Sequence, residues 1–259
     1  MTTLTLLVKA WNGGQLKQIE ELLKVQFEEL AVDMKVLISK NKWVQVSVSG
    51  EDEAVASSFI RKEIGVCPVT LETVGNETVL KGYVTKIDNQ QLMVDVGVFE
   101  PTVTQVVVPL ANLQEQLVGG KEVALKKISE IYGVAEGLPI SVKITSNEAE
   151  SLQAELSPEH VEKLHAWQQS LLDRLIVLRV SKELVLLTLE RTRLERDVID
   201  VEALGMFEYA LTCKLGTDAT GLIPRVGRYM RNAVFVVFNA KKNVAFLGCL
   251  LYTSPSPRD

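Results

Sequence analysis

The sequence predicts an α+β protein in which two mixed α/β modules flank a small closed β-barrel. Three observations carry that prediction. Between Val79 and Leu156, five short strand-patterned runs are separated by turn residues: Lys81–Ile87, Leu92–Val96, Gln105–Pro109, Ile140–Thr145 and Leu152–Leu156. A helix-patterned insert, Leu125–Gly133, precedes the fourth run, as in a five-stranded barrel of the OB type. On either side the hydrophobic period switches between strand and helix, reading βαββα before the barrel and βαββαβ after it, the order of ferredoxin-like units.

The elements follow in chain order. Thr3–Lys9 is a strand pattern broken by Gly13-Gly14. Leu16, Ile19, Leu22, Leu23, Val25, Phe27 and Leu30 then recur at helical spacing. Met34–Ile38 and Trp43–Val48 are strands joined by a hairpin-type turn, Ser39-Lys40-Asn41-Lys42. A second helix opens at Ser49–Glu53, turns Ala54, Val55, Phe59 and Ile60 inward and ends near Gly65. Cys67-Pro68 to Asn76 is Pro- and Gly-punctuated linker. After the barrel, Ser157-Pro158 starts a helix, with Ser as N-cap and Pro at the first helical position. Leu175–Val180, a helix over Lys182–Thr192 capped by Ser181, strands Asp197–Val201 and Phe207–Cys213, a loop at Gly216–Gly221, a helix over Leu222–Met230 and a strand at Ala233–Phe238 complete the second module. The expected divisions are 1–66, linker 67–77, barrel 78–156, and 157–248.

At 259 residues, with 47% hydrophobic and 24% charged residues, the chain has the composition of a soluble globular protein of two or three domains. No run approaches the roughly 18 apolar residues of a membrane helix, and no basic-then-apolar signal opens the chain, so the expectation is a cytoplasmic protein with no membrane partner. Cys67, Cys213 and Cys249 form no metal-ligand spacing and read as reduced thiols. The last eleven residues, CLLYTSPSPRD, resemble translated sequencing-adapter read-through; the alternative is a Ser/Pro-rich disordered tail, and 249–259 stands outside the fold on either reading.

GYVTKID, LMVDVGV, VVVPLANL and LPISVKI together are similar to the S1-type RNA-binding barrel. That resemblance implies single-stranded RNA held by stacking aromatics over a basic groove. Tyr83 on the first strand is the candidate stacking ring, flanked by Lys81 and Lys86; Lys126 and Lys127 in the insert are candidate phosphate contacts. The charge opposes this, because residues 78–156 carry 6 basic and 10 acidic side chains, a net of −4. With TLLVKAWN at the start and AELSPEHVEKLHAW, LLDRLIVL and RDVIDVEALGMFEYALTCKLGTDATGLIPRVGR towards the end, the chain resembles the archaeal family named domain of unknown function 2110, over about residues 3 to 240. The resemblance implies an archaeal cytosolic source and this domain order; it implies no activity and no catalytic residue. Val180–Arg193 departs from the family pattern, with LVLLTLE where more charged, alanine-rich sequence is expected.

Two constellations remain. Gly216, Thr217, Thr220 and Gly221 form a glycine-bearing loop that feeds a helix, a candidate anion site with Thr217 or Thr220 as cap, or simply a capped structural turn. It lacks the GxxxxGK[ST] pattern of a nucleotide-binding loop. Arg225, Arg228 and Arg231, with Tyr229 beside them, recur every three residues, and Arg191, Arg193 and Arg196 form a second group. Residues 157–248 carry 13 basic and 11 acidic side chains, +2, against −1 for residues 1–65. Arginine suits phosphate and acidic partners alike, and a salt-bridged solvated face is the alternative. His160 and His165 lack the HExxH zinc spacing, and no nucleophile elbow occurs, so no catalytic constellation, metal or cofactor is expected. The expectation is an RNA or single-stranded nucleic-acid binding accessory factor; the competing one is a protein-interaction scaffold that binds no nucleic acid.

Overall fold

The computed structural model describes residues 1–39, 41–148 and 151–252. Strands β1 (Thr2–Lys9), β2 (Val32–Ile38) and β3 (Trp43–Gly50) form an antiparallel sheet in the order β1-β3-β2. Leu4 lies opposite Val46, and with Leu6, Val44 and Val48 they make the buried face. Helices α1 (Gly13–Gln26) and α2 (Glu53–Phe59) contribute Ile19, Leu23 and Ala56 to the same core. Asn12 caps α1, its side chain accepting from Gln15 N at 3.0 Å. After α2 the chain returns along β1 through a single bridge, Leu6 to Val66, and Cys67 N donates to Thr5 O at 2.9 Å. The fourth strand of a ferredoxin-like unit is thus reduced to a bridge. The expected hairpin turn ends at Lys42, with φ +70°; its Lys40 lies outside the described residues.

The expected linker holds a two-residue strand, β4 (Val69–Thr70), which pairs in parallel with the stretch around Val98 and Glu100. Strands β5 (Val79–Ile87), β6 (Gln91–Glu100), β7 (Thr104–Pro109), β8 (Pro139–Glu148) and β9 (Ser151–Leu156) follow the ring order β6-β5-β8-β9-β7, closed by β6–β7 pairing. The parallel β7–β9 pair among antiparallel neighbours gives the OB-type five-stranded barrel. The insert contains two helices, α3 (Leu110–Val118) and α4 (Leu125–Tyr132), where the sequence predicted only the second. Leu113, Leu117 and Val118 hold α3 against the barrel core.

The chain divides into two compact units, Met1–Gly75 with Asp95–Gln105, and Asn76–Val94 with Val106–Asp259. The second half of β6 therefore belongs to the N-terminal unit. There Asp95 accepts from Lys9 Nζ at 2.5 Å, from Trp43 Nε1 at 2.9 Å and from Gly97 N at 3.0 Å, with Lys9 only 4% exposed.

In the second unit, α5 (Pro158–Gln169) is capped as the sequence predicts, with Ser157 Oγ accepting from His160 N. Next come β10 (Arg174–Leu178), α6 (Lys182–Thr192), β11 (Val198–Ala203), β12 (Glu208–Cys213), α7 (Ala219–Val226) and β13 (Val234–Phe238). Their antiparallel sheet runs β11-β12-β10-β13, the ferredoxin-like order. Leu175 and Val177 pack on one face with Val185 and Leu189 of α6 and Leu222 and Val226 of α7. On the other face Phe238 meets Tyr132 of α4 and Trp167 of α5, with ring centroids 6.5 and 5.4 Å apart. The sequence predicted no element after Phe238, yet α8 (Ala240–Tyr252) packs on α5 and α4 and runs past Cys249 into the stretch expected to stand outside the fold. The remainder of that stretch, 253–259, lies outside the described residues.

Candidate functional site

On β5 the two-residue period sends Lys81 and Tyr83 to one face and Lys86 to the other. Tyr83 is 3% exposed, and its hydroxyl donates to Glu208 Oε2 at 3.5 Å. A stacking ring needs one open face, so Tyr83 cannot take the role its position suggested. Glu208 is fully buried. Its Oε2 also accepts from Phe207 N at 3.2 Å, while Oε1 has no partner among the described residues. Burial pushes the carboxyl from 4.5 to about 8; the Phe207 N–H, the Tyr83 hydroxyl and the Arg179 charge oppose the rise. Lys86 pairs with Asp88 at 3.5 Å, and Lys127 pairs with Glu130 at 3.1 Å. Lys81 and Lys126 are exposed and have no ion pair among the described residues.

The glycine loop is filled from within. Helix α7 starts at Ala219, three residues before the predicted start, and its N-cap is Asp218 rather than Thr217 or Thr220. The Asp218 carboxylate accepts from Thr220 N at 2.9 Å. A carboxylate stands where an external anion would bind, and Gly216, at φ +92°, and Gly221 shape the turn around it. Pro224 falls inside α7.

The arginines are distributed differently from the helical stripe the spacing suggested. Only Arg225 lies on α7; Arg228 and Arg231 lie in the turns between α7 and β13, and all three are exposed. Tyr229, among them, is 44% exposed. Arg225 Nη2 donates to Thr192 O at 2.7 Å, and Nη1 lies 3.7 Å from Asp197. That contact ties the end of α7 to the end of α6 and joins the two arginine groups. Over 191–197 and 225–231 the surface carries six arginines against two carboxylates, Glu195 and Asp197. Of the sequence candidates, Arg225, Arg228, Tyr229 and Arg231 fall on the end of α7 and the turns after it, and the glycine loop runs into the start of the same helix; Tyr83 and the candidate lysines belong to β5 and α4.

Among the described residues no group of three His, Cys, Asp or Glu side chains is placed to hold a metal ion, and no helix is long and apolar enough to cross a membrane. Sequence reasoning missed the buried Glu208 and the Lys9–Asp95 pair. Their partners lie 125 and 86 residues away, and no local pattern marks them.

Three family models match the chain: residues 3–68 the DUF2110 N-terminal domain, 74–168 the DUF2110 central domain and 172–238 the DUF2110 C-terminal domain. No curated protein matches. Among solved structures, the chain is similar to a proposed exosome complex RNA-binding protein at 12% identity, covering 67% of this chain and 93% of that one, with a TM-score of 0.25. It is also similar to the intact alpha subunit of aIF2 from Pyrococcus abyssi at 10% identity, covering 63% and 96%, with a TM-score of 0.25. At that TM-score neither likeness bears on function.

Proposed function

The chain belongs to the DUF2110 family, whose three domain models together match most of it, and from that premise we propose that it binds single-stranded RNA through the arginine-rich surface of its C-terminal module. One observation carries the reading. Arg225, held to Thr192 O and Asp197, joins two arginine groups at the ends of α6 and α7, and exposed Tyr229 follows Arg228 in the next turn. Arginines supply phosphate contacts without reading sequence, and an open aromatic ring offers a face to any base. The barrel lends no support, since its aromatic is buried and its charge is −4. Its role in this reading is to carry the C-terminal module.

The test is a titration of fluorescent single-stranded RNA at several salt concentrations. Arg228→Ala with Arg231→Ala leaves the Arg225 tie intact and lowers the log–log salt slope by about 1.4, at about 0.7 per contact on a single strand. Tyr229→Ala weakens binding by roughly 1–3 kcal/mol and leaves the slope nearly unchanged. Wild-type protein with no measurable affinity at low salt would sink the reading. The acidic barrel then favours the protein-interaction scaffold, with the arginines as contacts for an acidic partner.

A further inference from the structure

On the barrel side of the C-terminal sheet, a cleft of about 250 Å³ opens between β5, β8 and α5. The sheet separates it from the arginine surface, because Ile176 lines the cleft while its neighbours Leu175 and Val177 point into the helix-covered core. The floor is apolar, built from Leu138, Ile140, Leu164 and Ile176.

The rim is polar, and its members differ in what holds them. Lys163 is committed: it pairs with Glu202 at 2.5 Å and lies 5.1 Å over the Trp167 ring, and the Trp167 indole donates to the same carboxylate. Lys81 and Glu159 are both exposed, both line the cleft, and neither has an ion-pair partner among the described residues, the other included. The cleft is also lined by Ser141 and by His160, whose ring makes no hydrogen bond among the described residues. Burial and, next, the Lys163 charge hold His160 down at about 4, so at neutral pH it presents one donor and one acceptor without charge.

Lone cations on a rim suit anions, and lone carboxylates suit amines. A rim that keeps one of each unpaired, over an apolar floor, is complementary to a molecule that carries both charges and an apolar body. We propose that this cleft binds a small zwitterion of the apolar α-amino-acid class, its carboxylate at Lys81, its ammonium at Glu159 and its side chain on the Ile140–Leu164 floor. A phosphate monoester fits less well, since its charge of about −1.5 to −2 at pH 7 would face Glu159.

The full chain carries only two histidines, His160 and His165, so imidazole proton resonances report on the site directly, with His160→Gln assigning the signal. Leucine and phenylalanine are titrated as probes beside hexanoate and hexylamine, each of which keeps the apolar body and one charge. The expected result is that an amino acid shifts the His160 resonance, leaves His165 unmoved and binds at least roughly tenfold more tightly than either single-charge probe. Lys81→Met and Glu159→Gln each remove that advantage, while the melting temperature of these surface variants stays at the wild-type value. Hexanoate or hexylamine binding as tightly as the amino acids overturns the proposal, as does the absence of any His160 shift at millimolar probe. RNA binding at the arginine surface is unaffected by either variant, which keeps the two sites distinguishable.

Discussion

Replacing Glu208 by Gln gives the sharpest test of how the barrel and the C-terminal module are joined. Glu208 lies on β12, fully buried, with the Tyr83 hydroxyl of β5 and the Phe207 N–H on one oxygen and nothing among the described residues on the other. Its carboxyl is raised from 4.5 to about 8, chiefly by burial. The folded state therefore keeps a proton that the unfolded chain releases above pH 4.5. Between those values the folded state binds one more proton, and stability falls by up to about 1.4 kcal/mol per pH unit, or about 3–5 kcal/mol in all. His160 acts in the opposite sense: held down at about 4, it adds stability that is lost as pH falls from 6.5 towards 4. The two slopes offset each other in acid, and from pH 6.5 to 8 that of Glu208 is left. Urea denaturation at a series of pH values, wild type against Glu208→Gln, isolates it. The neutral amide keeps the shape without the titration, so the variant gains on wild type steadily from pH 5 to 8. Parallel curves across that range would refute the claim that Glu208 is buried and protonated. A large, pH-independent loss in the variant would show instead that the carboxyl is ionised and held by a charge.

Three further outcomes follow from the N-terminal unit and α7. Asp95→Ala takes the carboxylate away from the buried Lys9 ammonium and costs about 3–5 kcal/mol in urea denaturation, while Lys9→Met with Asp95→Leu costs less than Asp95→Ala alone. Gly97→Ala places a Cβ 2.5 Å from Cys67 Cβ and Sγ at φ +80°, so it destabilises by roughly 1–3 kcal/mol, and a second change, Cys67→Ala, recovers part of that loss. Asp218→Ala removes the α7 cap at a cost of about 1 kcal/mol, whereas Thr217→Ala leaves the melting temperature nearly unchanged; equal losses would return the cap to the threonine.

What was legible in the sequence is what local signals encode. The barrel strands alternate, Ser157-Pro158 and Ser181 cap as their types prefer, and the βαββαβ order appears with its boundaries shifted by a few residues. Helix α3 was hidden because Leu110 and Leu113 follow the strand run VVVP without a break, so the change of period falls inside one apolar stretch. The Asp218 cap was missed by one residue. Thr217, Asp218 and Thr220 can all accept from a first-turn N–H, and only the backbone path selects among them. The arginine spacing of three suggested a helical stripe, but α7 ends at Val226, and a turn rather than a helix face carries Arg228 and Tyr229. Tyr83 shows the hardest limit. An aromatic on a first barrel strand is a stacking platform or a core residue according to what packs over it, and what packs over it is a carboxyl 125 residues further on.

That same contact explains why charge and fold resemblance pointed in different directions. An S1-like barrel that binds RNA by itself needs an open aromatic over a positive groove. Here the ring is turned into the contact with β12, and the barrel charge is −4. Once Tyr83 serves cohesion, no exposed aromatic of that strand remains to select basic residues around it, and its lysines are free to pair with Asp88 or to stand at the cleft. The exposed aromatic with arginines on both sides is Tyr229, on the far side of the C-terminal sheet. If the RNA titration assigns binding to Tyr229, Arg228 and Arg231, then the sheet divides the labour: its barrel face holds the module in place and lines the cleft, and its helix-covered side presents the phosphate contacts. Tyr83→Phe, which keeps the ring and removes the hydroxyl, should then lower stability and leave RNA affinity unchanged. Loss of affinity with stability intact would return the barrel to the binding surface.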